Sequence, residues 1–135
     1  MDSATLEESL RAFYIARTEN DPDACQAFFA KASTLNYVGS PEASAFAQTI
    51  DSREEVDAVV QGVVQLWKWT RCEILDLLID GHKAAVRFEI DVVHTQSGQS
   101  FTTQLMDLCT FDADGAASTL TEFADTAMIA QIMER

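Results

Sequence analysis

A chain of 135 residues with 22 acidic side chains against 9 basic ones has a net charge of -13 and repels phosphate backbones and anionic lipid, which argues against nucleic-acid and membrane-surface partners. Its 47 % hydrophobic and 23 % charged residues are those of a soluble globular protein, and the length suits one domain over 1–135 rather than two. No apolar run reaches the ~18 residues needed to span a bilayer, and residues 1–10 lack the basic and apolar regions of a signal peptide, so a cytoplasmic location is expected.

In chain order, helical spacing of Leu6, Leu10, Phe13 and Tyr14 predicts a helix over 5–19. Asn20 and Asp21 break it, and Pro22 suits the first turn of a second helix over 23–31, which presents Cys25, Phe28 and Phe29. Residues 33–38 are short and β-prone. Residues 39–51 are polar and small, as in a mobile loop. Ser52 and Glu55 form a capping box for a third helix carrying Val56, Val59, Val60, Val63 and Trp67 on one side and ending near Trp69.

From there the period changes to two. "CEILDLLID" runs to a turn at Asp80 and Gly81. "KAAVRFEIDVVH" sets Ala84, Val86, Phe88, Ile90 and Val92 against Arg87, Glu89 and Asp91. "FTTQLMDLCTF" alternates again, "DADG" turns, "AASTLTEF" is a last strand, and a short terminal helix follows. Helices early and hairpins late predict an α+β fold: a cone-shaped, curved, mixed or antiparallel sheet wrapped around three N-terminal helices, with a short C-terminal helix. The open end of such a cone is a natural pocket.

Asp107 is the only charge on the row Phe101, Thr103, Leu105, Asp107, Cys109 and Phe111, the apolar face of its strand. Burial there raises a carboxyl pKa, and the neutral acid can donate a hydrogen bond to a developing oxyanion; buried acids also often only tie down backbone. Glu122 stays open between two faces. A four-residue turn and a bulged one at "DADG" put either Leu120, Glu122 and Ala124 or Thr119, Thr121 and Phe123 inward. Glu89 and Asp91 resemble a paired-carboxylate motif but share the outward face. His94 has inward parity at a strand end, where a solvated position at the mouth is expected. Tyr37, Trp67, Phe88, Ile90, Val92, Thr103 and Leu105 are the expected pocket lining.

His82 and His94 with scattered acids give no metal-ligand spacing, and there is no phosphate loop, nucleophile elbow or dinucleotide fingerprint, so neither metal nor cofactor is expected. Cys25, Cys72 and Cys109 are odd in number and far apart, which suits reduced, buried thiols. Met106, Leu108 and Phe123 on the outer sheet face would pack against a second copy, giving a homodimer.

The phrases "LRAFYIARTENDPDACQAFFA", "DSREEVDAVVQG" and "FDADG" followed by "LTEFAD" resemble the nuclear transport factor two-like superfamily, in its SnoaL-like and ketosteroid-isomerase-like branch, over nearly the whole chain. That resemblance implies a small-molecule pocket and, in enzymes of the group, cofactor-free isomerase, cyclase or dehydratase chemistry on a carbonyl substrate. It places Tyr14 and Asp107 as a two-donor oxyanion site and Glu122 as the late-strand acid that moves the proton. The ketosteroid-isomerase base would fall near Asn36 and Tyr37, where there is no acid. The arginine and aspartate of limonene-type epoxide hydrolases would fall at Phe88 and Ile90. A non-catalytic binding or dimerisation module on the same scaffold is the competing expectation.

Overall fold

The structure is a computed structural model that describes residues 2–40 and 47–133. Asp2 starts α1 (Ser3–Thr18) by accepting a hydrogen bond from the Thr5 N–H at 2.9 Å, and Leu6, Leu10, Phe13 and Tyr14 are buried along it as their spacing requires. Asp21 caps α2 (Pro22–Gln26) in the same way through the Ala24 N–H. The second helix is therefore shorter than its sequence suggests. Phe28 and Phe29 leave it to join Phe13 and Phe111 in an aromatic cluster, and β1 (Phe29–Tyr37) begins there instead. Tertiary packing of aromatic residues overrides a weak local helix preference.

Within the stretch expected to be a loop, β2 (Gln48–Ile50) pairs antiparallel with β1. Residues 41–46 of that stretch, and the mobility expected of them, lie outside the described residues. Ser52 then caps α3 (Arg53–Leu66), its hydroxyl accepting from the Glu55 N–H at 3.2 Å. Replacing Ser52 by alanine is expected to cost about 1 kcal/mol, readable by urea denaturation, because an N-terminal donor loses its partner. Val56, Val60 and Val64 face the core from α3.

The helix stops at Leu66, three residues before the expected end. Thr95 satisfies its last carbonyls, with its N–H on Leu66 O at 2.9 Å and its hydroxyl on Gln65 O at 2.9 Å. Trp67 and Trp69 can then alternate inward from β3 (Trp67–Asp80), paired with His94 and Val92. Three further strands complete the sheet: β4 (Lys83–His94), β5 (Ser100–Phe111) and β6 (Ala117–Phe123). α4 (Thr126–Met133) closes the chain, capped by Asp125, whose carboxylate accepts from the Met128 N–H at 3.1 Å.

The sheet order is β2-β1-β6-β5-β4-β3, with β1 and β6 parallel and the other neighbours antiparallel. Register shifts at Trp69/Arg71 and Ile74/Asp76 in β3, and at Ser118 of β6 opposite Thr110 and Phe111, mark bulges, which bend strands and increase twist. The result is the expected α+β arrangement, a curved sheet whose concave face holds the helices and the core. On the convex face Arg71 bridges Asp91 at 2.9 Å and Glu89 at 2.7 Å, so that carboxylate pair belongs to a surface ion-pair network. Among the described residues no helix is long and apolar enough to cross a membrane.

Candidate active site

One rung of the concave face carries the titratable groups. Tyr37 on β1 pairs with Glu122 on β6, Glu122 with Asp107 on β5, and Asp107 with Val86 on β4. Directly opposed residues on adjacent strands have Cβ atoms about 4.5–5.5 Å apart, so the rung sets phenol, carboxyl and carboxyl side by side. Asp107 is held inward by strict alternation in β5, where Leu105, Asp107, Cys109 and Phe111 are buried and Met106 and Leu108 exposed.

Glu122 reaches that face through the bulged closure of the last hairpin. Phe111 pairs with Ala117 and Thr110 with Thr119, leaving Ser118 as the extra residue, its hydroxyl on Thr110 O at 3.0 Å. Ala117 and Leu120 are both buried, so the alternation changes phase between them, and Glu122 follows Leu120 inward while Phe123 turns out.

Asp107 is 1 % exposed and its Oδ2 accepts the Tyr14 hydroxyl at 2.8 Å, while Oδ1 has no hydrogen-bond partner among the described residues. Burial raises its pKa well above the ordinary carboxyl value and the Glu122 charge adds to this, against the Tyr14 bond and Arg17. Burial likewise raises Glu122 to about 7, with Arg17 pulling it down. Burial and the Asp107 charge push the Tyr14 phenol upward, and burial does so for Tyr37. Two acids of unequal environment are thus neighbours, a pattern that separates acid from base roles.

Arg17 is the site residue that sequence reasoning missed. It is 5 % exposed, with its guanidinium carbon 4.1 Å above the Trp69 ring centroid and Nη2 donating to Trp67 O at 3.3 Å. Its signal was present in the spacing: seven residues from Leu10, four from Phe13 and three from Tyr14, it lies on the buried stripe of α1.

Two small cavities flank Arg17 and Glu122, which line both. The outer, about 50 Å³, is walled by Trp67, Trp69, Ile90, Val92, Thr103 and Leu105 and roofed by Met128 and Ile129 of α4. The inner, about 30 Å³, is bordered by Tyr37, Asp107 and Leu120. Three residues sit differently from expectation. Phe88 is 0 % exposed and borders neither cavity; it packs against Tyr14 at 4.8 Å and Trp69 at 5.4 Å, because both aromatic rings fill the space above its strand. Tyr14 also borders neither: its hydroxyl is spent on Asp107, so the pair is one donor with its support rather than two converging donors. His94 is buried, not solvated, its ring tilted against Trp67 at 4.6 Å with Nδ1 2.7 Å from the Ser97 hydroxyl. Among the described residues no cluster of three His, Cys, Asp or Glu side chains could hold a metal ion.

Residues 10–119 match the SnoaL-like domain. The chain belongs to the SnoaL-like family. The matched segment contains Tyr14, Arg17, Tyr37 and Asp107 and ends just before Glu122. Solved structures with this nuclear transport factor two-like fold superpose over almost the whole SnoaL-like chain. A candidate isomerase from Bacillus subtilis aligns at TM-score 0.86 and 12 % identity, covering 99 % of this chain and 96 % of that one. An NTF2-like protein of unknown function from Burkholderia pseudomallei aligns at 0.81 and 18 %, over 100 % of both. An LEH-like epoxide hydrolase from M. tuberculosis aligns at 0.74 and 12 %, over 96 % and 86 %. No curated protein is significantly similar to the chain in sequence.

Proposed function

We propose that this SnoaL-like protein binds a small, mostly apolar carbonyl compound and moves protons on it by general acid–base chemistry without a cofactor, as an isomerase, cyclase or dehydratase does. The observation that carries the reading is the Glu122–Asp107 rung, two neighbouring carboxyls with pKa values raised by burial inside an apolar wall. Glu122, titrating near neutrality, suits the base that removes a proton next to the carbonyl. Asp107, kept neutral, carries its proton on Oδ1 and donates it toward the enolate oxygen, because Oδ2 already accepts from Tyr14. Tyr14 is then a positioning residue that fixes the carboxyl plane.

Deuterium exchange of small cyclic ketones such as 2-tetralone in heavy water, followed by NMR, tests this. Exchange above the buffer rate, rising as pH passes about 7, is expected from the Glu122 titration; no acceleration with any ketone of a broad panel would overturn the reading.

The competing reading, a non-catalytic binding module, draws support from the small volume of both cavities. A void needs about 10–15 Å³ for one water, so 50 Å³ holds a few waters and a ligand must displace part of the wall. Either way we place the protein in a reducing cytoplasm, which suits its three free cysteines. We further propose a homodimer through the convex face of β5 and β6. Met106 and Phe123 pair directly across those strands, 42 % and 44 % exposed, beside Leu108 at 47 %. Light scattering should give twice the 14.9 kDa chain mass, and Leu108→Glu should return it to one chain; a wild-type monomer would rule the dimer out.

A further inference from the structure

We infer that Arg17 is an anchor for an anionic group, so that the ligand is a small apolar carboxylic acid or a compound ionised like one, seated with its anionic oxygens on the guanidinium and its body against Trp69, Ile90 and Leu105. The inference takes from the proposed function only the location of the ligand. A guanidinium offers five N–H donors in a planar fork that matches a carboxylate two bonds at a time. Arg17 uses Nη2 on a single carbonyl at 3.3 Å, and its Nη1 is buried without a hydrogen-bond partner among the described residues. A buried cation with idle donors is expensive to maintain unless another group completes its shell. The Trp69 ring, 4.1 Å from the guanidinium carbon, attracts the cation without consuming its donors. Arg17 also borders both cavities, whose remaining walls are mainly apolar.

Among the described residues, the charged and titratable groups around Glu122 are Arg17 and Tyr14 from α1, Tyr37 from β1, Asp107 and Cys109 from β5, and Asp125 at the start of α4. Arg17 is the only cation in that set, and it lowers the Glu122 pKa. An anion on Arg17 competes for that cation and adds negative charge, so Glu122 is driven to bind a proton. Carboxylate binding therefore takes up a proton above about pH 7 and weakens as pH rises.

Quenching of Trp67 and Trp69 fluorescence reads the binding of phenylacetate and 3-phenylpropionate against their neutral amides at pH 6 and pH 8. At pH 6 the wild type should bind the carboxylates roughly ten-fold more tightly than the amides, as expected of a charge-assisted bidentate pair. By pH 8 the carboxylate affinity should fall several-fold, and calorimetry in two buffers should show proton uptake. Arg17→Gln should erase the preference for carboxylate over amide. Glu122→Gln should make carboxylate affinity the same at both pH values. Should Arg17→Gln fail to fold, the wild-type comparison and Glu122→Gln decide alone. Equal affinity for amide and carboxylate, no binding of either carboxylate, or a pH dependence that survives Glu122→Gln overturns the assignment. These readouts need no turnover. Failure of ketone exchange leaves them standing, and exchange without carboxylate preference keeps the chemistry and removes the anchor.

Discussion

Asp107→Asn is expected to slow ketone exchange by about 10²- to 10³-fold while leaving the melting temperature nearly unchanged. The two side chains have the same shape. Asp107 is 1 % exposed and burial favours its neutral form, so the neutral amide suits the same surroundings. The amide oxygen can take the Tyr14 hydroxyl that Oδ2 now accepts at 2.8 Å. What changes is the group left facing the inner cavity. An N–H donor can still point at an enolate oxygen, but it is a far poorer acid than a carboxyl O–H and cannot transfer its proton. NMR exchange rates on protein of matched thermal stability separate the two effects. If the variant exchanges as fast as the wild type, Asp107 has no part in the chemistry, and its bond to Tyr14 is a tether between α1 and the sheet.

Glu122→Gln should remove both the rise in activity near neutrality and a pH-dependent burden on stability. The Glu122 carboxyl titrates at an ordinary value of 4.5 when the chain is unfolded and at about 7 in the folded protein. Between these values the folded chain binds the extra proton, so stability falls as pH rises through the window and is flat outside it. The contribution is fully favourable below about 4.5 and is lost by about 7. At about 1.4 kcal/mol per unit, the wild type should lose about 3 kcal/mol relative to Glu122→Gln across that range. Urea denaturation of both proteins at pH 4.5, 6 and 8 measures the difference directly, and comparing the two proteins cancels the carboxylates of the convex face, such as Asp91, which Arg71 holds low. Asp107 lies deeper, and burial together with the Glu122 charge raises its pKa well above the ordinary carboxyl value. A stability difference that does not change with pH would show that Glu122 titrates as an exposed acid.

The sheet and its inner face were legible because two-residue alternation is strong in β4 and β5. Ala84, Val86, Phe88, Ile90 and Val92 face inward as their pattern requires, and Asp107 stood out as the single charge in an apolar row. The junctions were harder to read. Trp67 fits the apolar stripe of α3 and the first inward position of β3 equally well, and only the Thr95 contacts to the last helical carbonyls end the helix there. Phe28 and Phe29 read as helical from local sequence because their packing partners, Phe13 and Phe111, are distant in sequence. Arg17 was legible in its spacing, but a basic residue near a helix C-terminus also suits the helix dipole, so its type does not mark it as a site residue. Alternation alone leaves Glu122 open between two faces, and only the family resemblance turns it inward, because its orientation depends on a corner rather than on its own neighbours.

That corner has a consequence for how such proteins diversify. Ser118 takes up one surplus residue, and the parity of everything after it is inherited from that single accommodation. Iron out the kink with the composition untouched, and Thr119, Thr121 and Phe123 would look into the hollow while the acid looked at water. A greasy vessel and a proton-handling one are thus separated by how a hairpin is counted, and point substitutions inside the vessel are only half of the alphabet in which its chemistry is spelled.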